Sequence, residues 1–262
     1  MRKYVDTLRL NFRSEPLVNN ANIIEVLHLG QSVNVLDNTS GDYVKVTVAN
    51  KGDQQVGYVS EKFLRDPVSE GREVLVNQAI TEWKRFNFGL GREHQDPYFN
   101  YVGEMWRRIG HSLDGKDRDV PWSAAAISFM VHNAGKALAG TKYPNFRFAA
   151  SHSRYVHDSI KKRHAEDEDT PFWGFDLHER QPKIGDIVCR GRARSNVDFE
   201  HAAKHDSFKS HCDIIVRIKE ETVVAIGGNV SHSVKRTEYD KTPDGFLDDT
   251  KEVYAILVNL HD

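Results

Sequence analysis

Long apolar runs are missing from this chain: stretches such as AAAISFMV and TVVAI are far too short to span a bilayer. The opening MRKYVDTLRLNFRSEP also lacks the apolar core of a signal peptide, so the expectation is synthesis in the cytoplasm without a classical export signal. Cysteine is scarce. Cys189 and Cys212 make no disulfide framework, and a chain of 262 residues needs no such staple, so both are expected to be reduced and near a core. An excess of one charge is absent too. With 36 basic against 38 acidic residues and a net charge of −2, a dominant phosphate-binding surface is not expected, and nucleic acid is not a predicted partner. At 39% apolar and 28% charged residues, the composition describes a folded globular protein and excludes a disordered tail or a collagen-like fibre.

The first sixty-odd residues are short β-type runs: TLRLNFRS, NIIEVLHLG, SVNVLDN, DYVKVTV and QQVGYVS. Alternation at Val33 and Val35, and at Val44, Val46 and Val48, fits strands with one buried face, and NTSGD and ANKGD supply turns. This predicts a small β-barrel. The pieces LNFRSEP, VLHLGQSVNVLD and DYVKVTV…GYVSEKFL follow one another as the motifs of a bacterial SH3-like domain do, and residues 4–65 resemble that family, with Glu15 in place of its turn glycine and Tyr58 in place of its tryptophan. The resemblance implies capture of cell-wall peptides. The alternative is that Tyr43, Tyr58 and Phe63 only fill the barrel.

After RDPVSEG, a hinge, the period changes to that of helices. Val76, Ala79, Ile80, Trp83 and Phe86 recur at three- and four-residue intervals, and Phe99, Val102, Trp106 and Ile109 do the same. Both aromatic stripes read as core. The acidic run AEDEDT reads as a solvated loop.

The segment DVPWSAAAISFMVHNAG carries a helix-start proline, Pro121, then Ser123, an apolar helix, and Gly135 as a C-cap. A hydroxyl there would profit from free backbone N–H groups and the helix dipole if it attacked a carbonyl. The alternative is that Ser123 is an N-cap. Downstream lie QPKIGDIVCRGR, SHCDIIVRI opening on His211, and TVVAIGGNVSHSV carrying Asn229. A helix-borne nucleophile, then a histidine at a strand start, then a polar residue on the next strand is the chain order of papain-like amidohydrolases.

With PKIGDIV, HCDIIV and GGN in that order, the chain resembles NlpC-type and CHAP-type cell-wall amidases, with Ser123 at the position of their cysteine. The set PWSAAAIS…SHSRYV…GDIVC…HCDIIV…IGGNVSHSV also resembles, over roughly residues 70–260, a bacterial family known only as a domain of unknown function, in which serine is the normal residue here. The resemblance implies an α+β fold: an SH3-like β-barrel over 1–66, then a papain-like domain over 67–262 with a central helix packed on an antiparallel sheet.

It also implies a peptidoglycan amidase or endopeptidase in which Ser123 attacks, His211 moves the proton, and Asn229 or Asp213 orients His211. Asp213 lies two residues from His211 and so shares its face of a strand. Its bland reading is a surface carboxylate, and Asn229 has the alternative of a turn residue. Trp122, His152, Tyr155 and Gly228 are the candidate substrate contacts, with helix capping as the alternative for His152. Cys189 reads as a small buried hydrophobe, and Cys212 as facing away from His211.

No cofactor is predicted and no metal: His201 and His205 lie one helical turn apart but lack the glutamate of the H-E-x-x-H mechanism. The surrounding charged insertion RGRARSNVDFEHAAKHDSFKSH reads as a lid. The expected partners are peptidoglycan or wall peptides, with room for an immunity or delivery protein. Action at the wall or in the periplasm would then require non-classical export or lysis, as for a phage-type lysin or an antibacterial effector. The rivals are a catalytically inactive binding protein on a degenerate hydrolase fold, and a hydrolase of lipid acyl or isopeptide bonds.

Overall fold

Alternating valines and tight turns build the first of two units, 1–68 and 69–262, in a computed structural model that describes residues 1–50, 53–193 and 195–262, the side chains of 37–40 and 50 excepted. Its strands are β1 (Arg2–Val5), β2 (Arg9–Arg13), β3 (Ile23–His28), β4 (Ser32–Ser40), β5 (Tyr43–Asn50), β6 (Asp53–Ser60) and β7 (Leu64–Arg65). They form one antiparallel sheet in the order β3-β2-β6-β5-β4-β1-β7. The turn expected at ANKGD includes Lys51 and Gly52, which lie outside the described residues. Val5, Phe12, Leu27, Val33, Val46 and Val59, drawn from six strands, share one apolar cluster. Gly57 is required by close approach, since a Cβ there would fall 2.6 Å from the Phe12 ring. Among the described residues no ladder joins β3 to β7, so the sheet surrounds its core without closing into a barrel. β7 is only two residues long and has little backbone with which to close it. Tyr43 and Phe63 are partly exposed and, with Arg9 and Lys62, line a groove of about 500 Å³.

The second unit is helices on one six-stranded antiparallel sheet. Helix α1 (Glu70–Arg85) is capped by Ser69, whose Oγ accepts from the Arg72 N–H at 3.3 Å, and it carries Glu70 and Glu73 in its first turn. Its expected stripe is buried at Val76, Ala79, Ile80 and Trp83. Then come α2 (Tyr98–Arg108), the central α3 (Ser123–Ala137) and α4 (His152–His164). The strands β8 (Phe172–Asp176), β9 (Ile187–Gly191), β10 (Ser210–Ile218), β11 (Thr222–Gly227), β12 (Lys235–Asp240) and β13 (Val253–Asn259) pair in the order β12-β11-β10-β9-β13-β8. Helices α1 and α3 pack on each other and on β10 and β11, while α4 packs on β8 and β10. The fold is α+β with a central helix on an antiparallel sheet, as expected.

The motif PKIGDIV is a structural joint. Gly185 has φ +89° at the turn into β9, a region that favours glycine. Asp186 then reaches Arg72 of α1 at 2.7 Å, and both side chains are buried. The same carboxylate accepts from the backbone N–H groups of Lys183 at 2.8 Å and Asn259 at 2.9 Å. One ion pair thus ties α1, the start of β9 and the end of β13 together.

Candidate active site

Helix α3 begins without a side-chain cap: Trp122 is the N-cap residue, and Ser123 is the first helical residue. The start is fixed instead by the indole of Trp122, which stacks on Phe86 at 5.7 Å between centroids and donates its N–H to Glu93. Three consecutive alanines, 124–126, are buried and let neighbours come close. At Gly228 a Cβ would fall 2.3 Å from the Ala126 Cβ. Small residues on both sides therefore permit the turn after β11 to press on the helix start.

With the backbone held this way, Ser123 Oγ lies 2.7 Å from His152 Nε2. His152 opens α4, and that helix start is fixed by Ser128 of α3, whose Oγ donates to the Ala149 carbonyl and accepts from the Ala149 N–H, each at 3.1 Å. The other ring nitrogen, Nδ1, is hydrogen-bonded to the Tyr155 hydroxyl one turn along α4. Burial holds the His152 pKa below the ordinary histidine value, so the ring is neutral near pH 7. A neutral ring carries one proton. If Tyr155 Oη accepts it from Nδ1, then Nε2 is free to accept the serine proton.

A second histidine stands behind the first. His211 lies on β10, and its ring is 5.3 Å from that of His152. Its Nε2 bonds Asp213 Oδ1 at 2.9 Å, and Tyr239 donates its hydroxyl proton to the other carboxylate oxygen. The Tyr239 oxygen in turn accepts from Arg190 Nε at 3.2 Å. Burial alone would raise the pKa of Asp213, but the charge of His211 and the bonds from His211 and Tyr239 lower it below the ordinary carboxylate value. Gly227 makes room for this carboxylate, since a Cβ there would fall 1.6 Å from Asp213 Oδ1.

Ser123 and His152 lie on the wall of an open cleft of about 410 Å³, which is also bordered by Ser151, Arg192, Phe208 and Lys209. The last three belong to the charged insertion. Its short helix α5 (Phe199–Lys204) is capped by Asp198 and packs on α4, where the His157 ring meets the Ala202 carbonyl at 2.9 Å. Ser153 Oγ donates to the Asp206 carbonyl at 2.8 Å. The insertion thus forms a packed wall of the cleft; Arg194 within it lies outside the described residues.

Several expected roles fall elsewhere. The serine's hydrogen-bond partner is His152, whereas His211 is bonded to Asp213. The Ser123 side chain is not an N-cap. Asn229 sits at φ +56° in the turn after β11, and among the described residues no hydrogen bond joins it to His211. Trp122 and Tyr155 are buried and, unlike Ser123 and His152, do not line the cleft; the first holds the start of α3 and the second bonds the His152 ring. Gly228 is likewise buried against α3. The spacing His152–Tyr155 in SHSRY, one helical turn, is the sequence signal for the ring's orientation. Tyr239 and Arg190 carry no local signal, because they reach Asp213 only across the sheet. The rings of His201 and His205 lie 4.5 Å apart at a tilt of 38°, and among the described residues no group of three or more His, Cys, Asp or Glu side chains could hold a metal ion.

A model of a bacterial family described as "Uncharacterized protein conserved in bacteria (DUF2272)" matches residues 78–256. No curated protein matches the chain. Among solved structures, NlpC2 from Trichomonas vaginalis is similar at 13% identity and a TM-score of 0.31, over 98% of this chain and 72% of that one. NlpC1 from the same organism is similar at 12% identity and a TM-score of 0.30, over 99% of this chain and 70% of that one.

Proposed function

The chain belongs to the bacterial DUF2272 family, and from that premise we propose that its second unit is a serine-dependent hydrolase of amide bonds in cell-wall peptides. The observation that carries this reading is the 2.7 Å contact from Ser123 Oγ to the ring of a neutral, buried histidine on the wall of an open cleft. As Oγ attacks the carbonyl carbon, its proton passes to His152 Nε2. The carbonyl oxygen takes up negative charge facing the free N–H groups at the start of α3. His152 then gives the proton to the departing amine, leaving an acyl-serine, and water repeats the sequence to release the acid. Asp213, kept ionised beside His211, favours the positive charge that forms transiently on His152, while the charge of His211 itself opposes it more strongly. His211 is a positioning residue in this scheme.

The cleft's charge supports the choice of substrate. Arg192 and Lys209 border it, and its described lining holds no carboxylate. That environment suits a peptide with a free carboxylate near the scissile bond. Together with the likeness of PKIGDIV and HCDIIV to cell-wall amidase motifs, it favours peptidoglycan stem peptides. The first unit would then hold the enzyme to the wall through its aromatic and basic groove, with Arg9, Tyr43, Lys62 and Phe63 as contacts. Delivery to the wall by lysis or a dedicated export route, and a protein inhibitor in the producing cell, belong to the same proposal.

The test is incubation of the full chain with purified sacculi, followed by separation of soluble fragments and labelling of newly exposed amines. New amines from the wild type and none from Ser123→Ala or His152→Ala are expected. Equal release by Ser123→Ala, or binding to sacculi without any release, would overturn the proposal.

A further inference from the structure

Strands β9 and β10 set Cys189 and Cys212 directly opposite each other. Their sulfurs are 3.1 Å apart, and both are free, fully buried thiols. Directly opposed residues of antiparallel strands have Cα atoms about 4.5–5.5 Å apart. That lies inside the span of about 4.4–6.8 Å that a disulfide bridges, so the backbone need not move and the sulfurs need close by only about 1 Å. We infer that Cys189 and Cys212 form a cross-strand disulfide when the chain folds in the presence of a small-molecule disulfide oxidant. One cysteine thiolate attacks a sulfur of the oxidant and releases one thiolate leaving group. The second cysteine, losing its proton, displaces the other half from the mixed disulfide. Two protein thiols are thereby oxidised and one oxidant disulfide is reduced to two thiols. Since both sulfurs are covered in the folded chain, the exchange takes place before the helices close over the sheet.

The bond has a place in the site. It would close a loop over residues 190–211, which contains α5 and the cleft-wall residues Arg192 and Lys209. The Cys212 sulfur also neighbours His152 and Tyr155, the residues on the far side of the Ser123 contact. Oxidation would therefore fix the insertion and the back of the serine–histidine pair at one point. This inference stands whether or not the cleft is hydrolytic.

The test uses the full chain prepared twice, from a reducing and from an oxidising cytosol, denatured in an alkylating agent without reductant. The oxidised preparation is expected to resist alkylation, to weigh less by two hydrogens, and to yield a digest fragment joining the segments around 189 and 212. Its melting temperature should fall on adding dithiothreitol, and that of Cys189→Ala should not. Two alkylated thiols in the oxidised preparation, glutathione adducts, or disulfide-linked dimers would each overturn the inference. The mass readout needs no variant and so does not depend on one folding.

Discussion

A serine hydroxyl is a far weaker acid than a thiol, so it cannot wait as an ion pair and must pass its proton to a base during attack. The neutrality of His152 is therefore central to the proposed chemistry. Because burial lowers its pKa, the base stays competent on the acid side of a free imidazole. The expected profile of kcat/KM rises with pH, reaches half its plateau below about pH 6.5, and stays level above it. A half-point above that value would exclude His152 as the titrating base. Removing His152 should cost about 10²–10⁴-fold in kcat, and removing Ser123 at least as much. His211→Ala should cost less than His152→Ala, because His211 acts through the field around the first ring. The reverse order, measured on one soluble peptide amide, would return the role of base to His211. The sequence order of nucleophile, strand histidine and polar third residue points to His211, and it misses His152 for a physical reason. What sets His152 against Ser123 is the clasp of Ser128 in α3 on Ala149 in the loop before α4, a contact between residues 21 apart. No periodicity reports such a contact.

At the scale of elements, two buried charges give opposite results. The Arg72–Asp186 pair is fully bonded, and it joins a helix to two strands. Burial already raises the Asp186 pKa against the opposing charge of Arg72, so truncating Arg72 to Met leaves a buried carboxyl without its partner, and a loss of about 3–5 kcal/mol is expected in urea unfolding. Glu82 of α1 is different. Its Oε2 is buried with no hydrogen-bond partner, and burial, aided by Glu104 and opposed by Arg85, raises its pKa to about 7. The folded chain therefore holds a proton that the unfolded chain releases near pH 4.5, and the stability tied to it is complete below that pH and lost as pH rises through about 7. The loss is about 3 kcal/mol. Glu82→Gln should thus melt higher than the wild type at pH 8, with the difference vanishing near pH 4; a constant difference across this range would contradict the raised pKa. The amphipathic stripe of α1 is legible from spacing alone, since Val76, Ala79, Ile80 and Trp83 are all buried. Glu82 is not, because its burial comes from packing against other elements rather than from its place in the stripe. The motif PKIGDIV was legible as a marker of fold, and its atoms show why: a left-handed glycine and an ion-paired aspartate are demands of the backbone, not of chemistry.

For the whole molecule, the division into units 1–68 and 69–262 separates two tasks in the proposed function. The second unit contains every residue of the serine–histidine contact and of the cleft wall. The first contributes its own core and a groove bearing Arg9 and Lys62. If the groove tethers the chain to an insoluble wall, it raises the local substrate concentration without touching the reaction. Deleting residues 1–68 should then leave kcat/KM on a soluble peptide amide within about twofold, while release from sacculi falls by about a hundredfold. Arg9→Gln with Lys62→Gln in the full chain should reproduce part of that loss, and added salt should weaken the wild type toward the variant. The cleft's own cations predict the complementary pattern. Arg192→Gln should raise KM for a peptide carrying a free carboxylate by about tenfold and leave the amidated peptide unchanged. An equal effect on both peptides would mean that Arg192 shapes the wall and does not read the substrate. Loss of soluble activity on deleting 1–68, with the remaining unit still folded by circular dichroism, would mean that the two tasks are not separable.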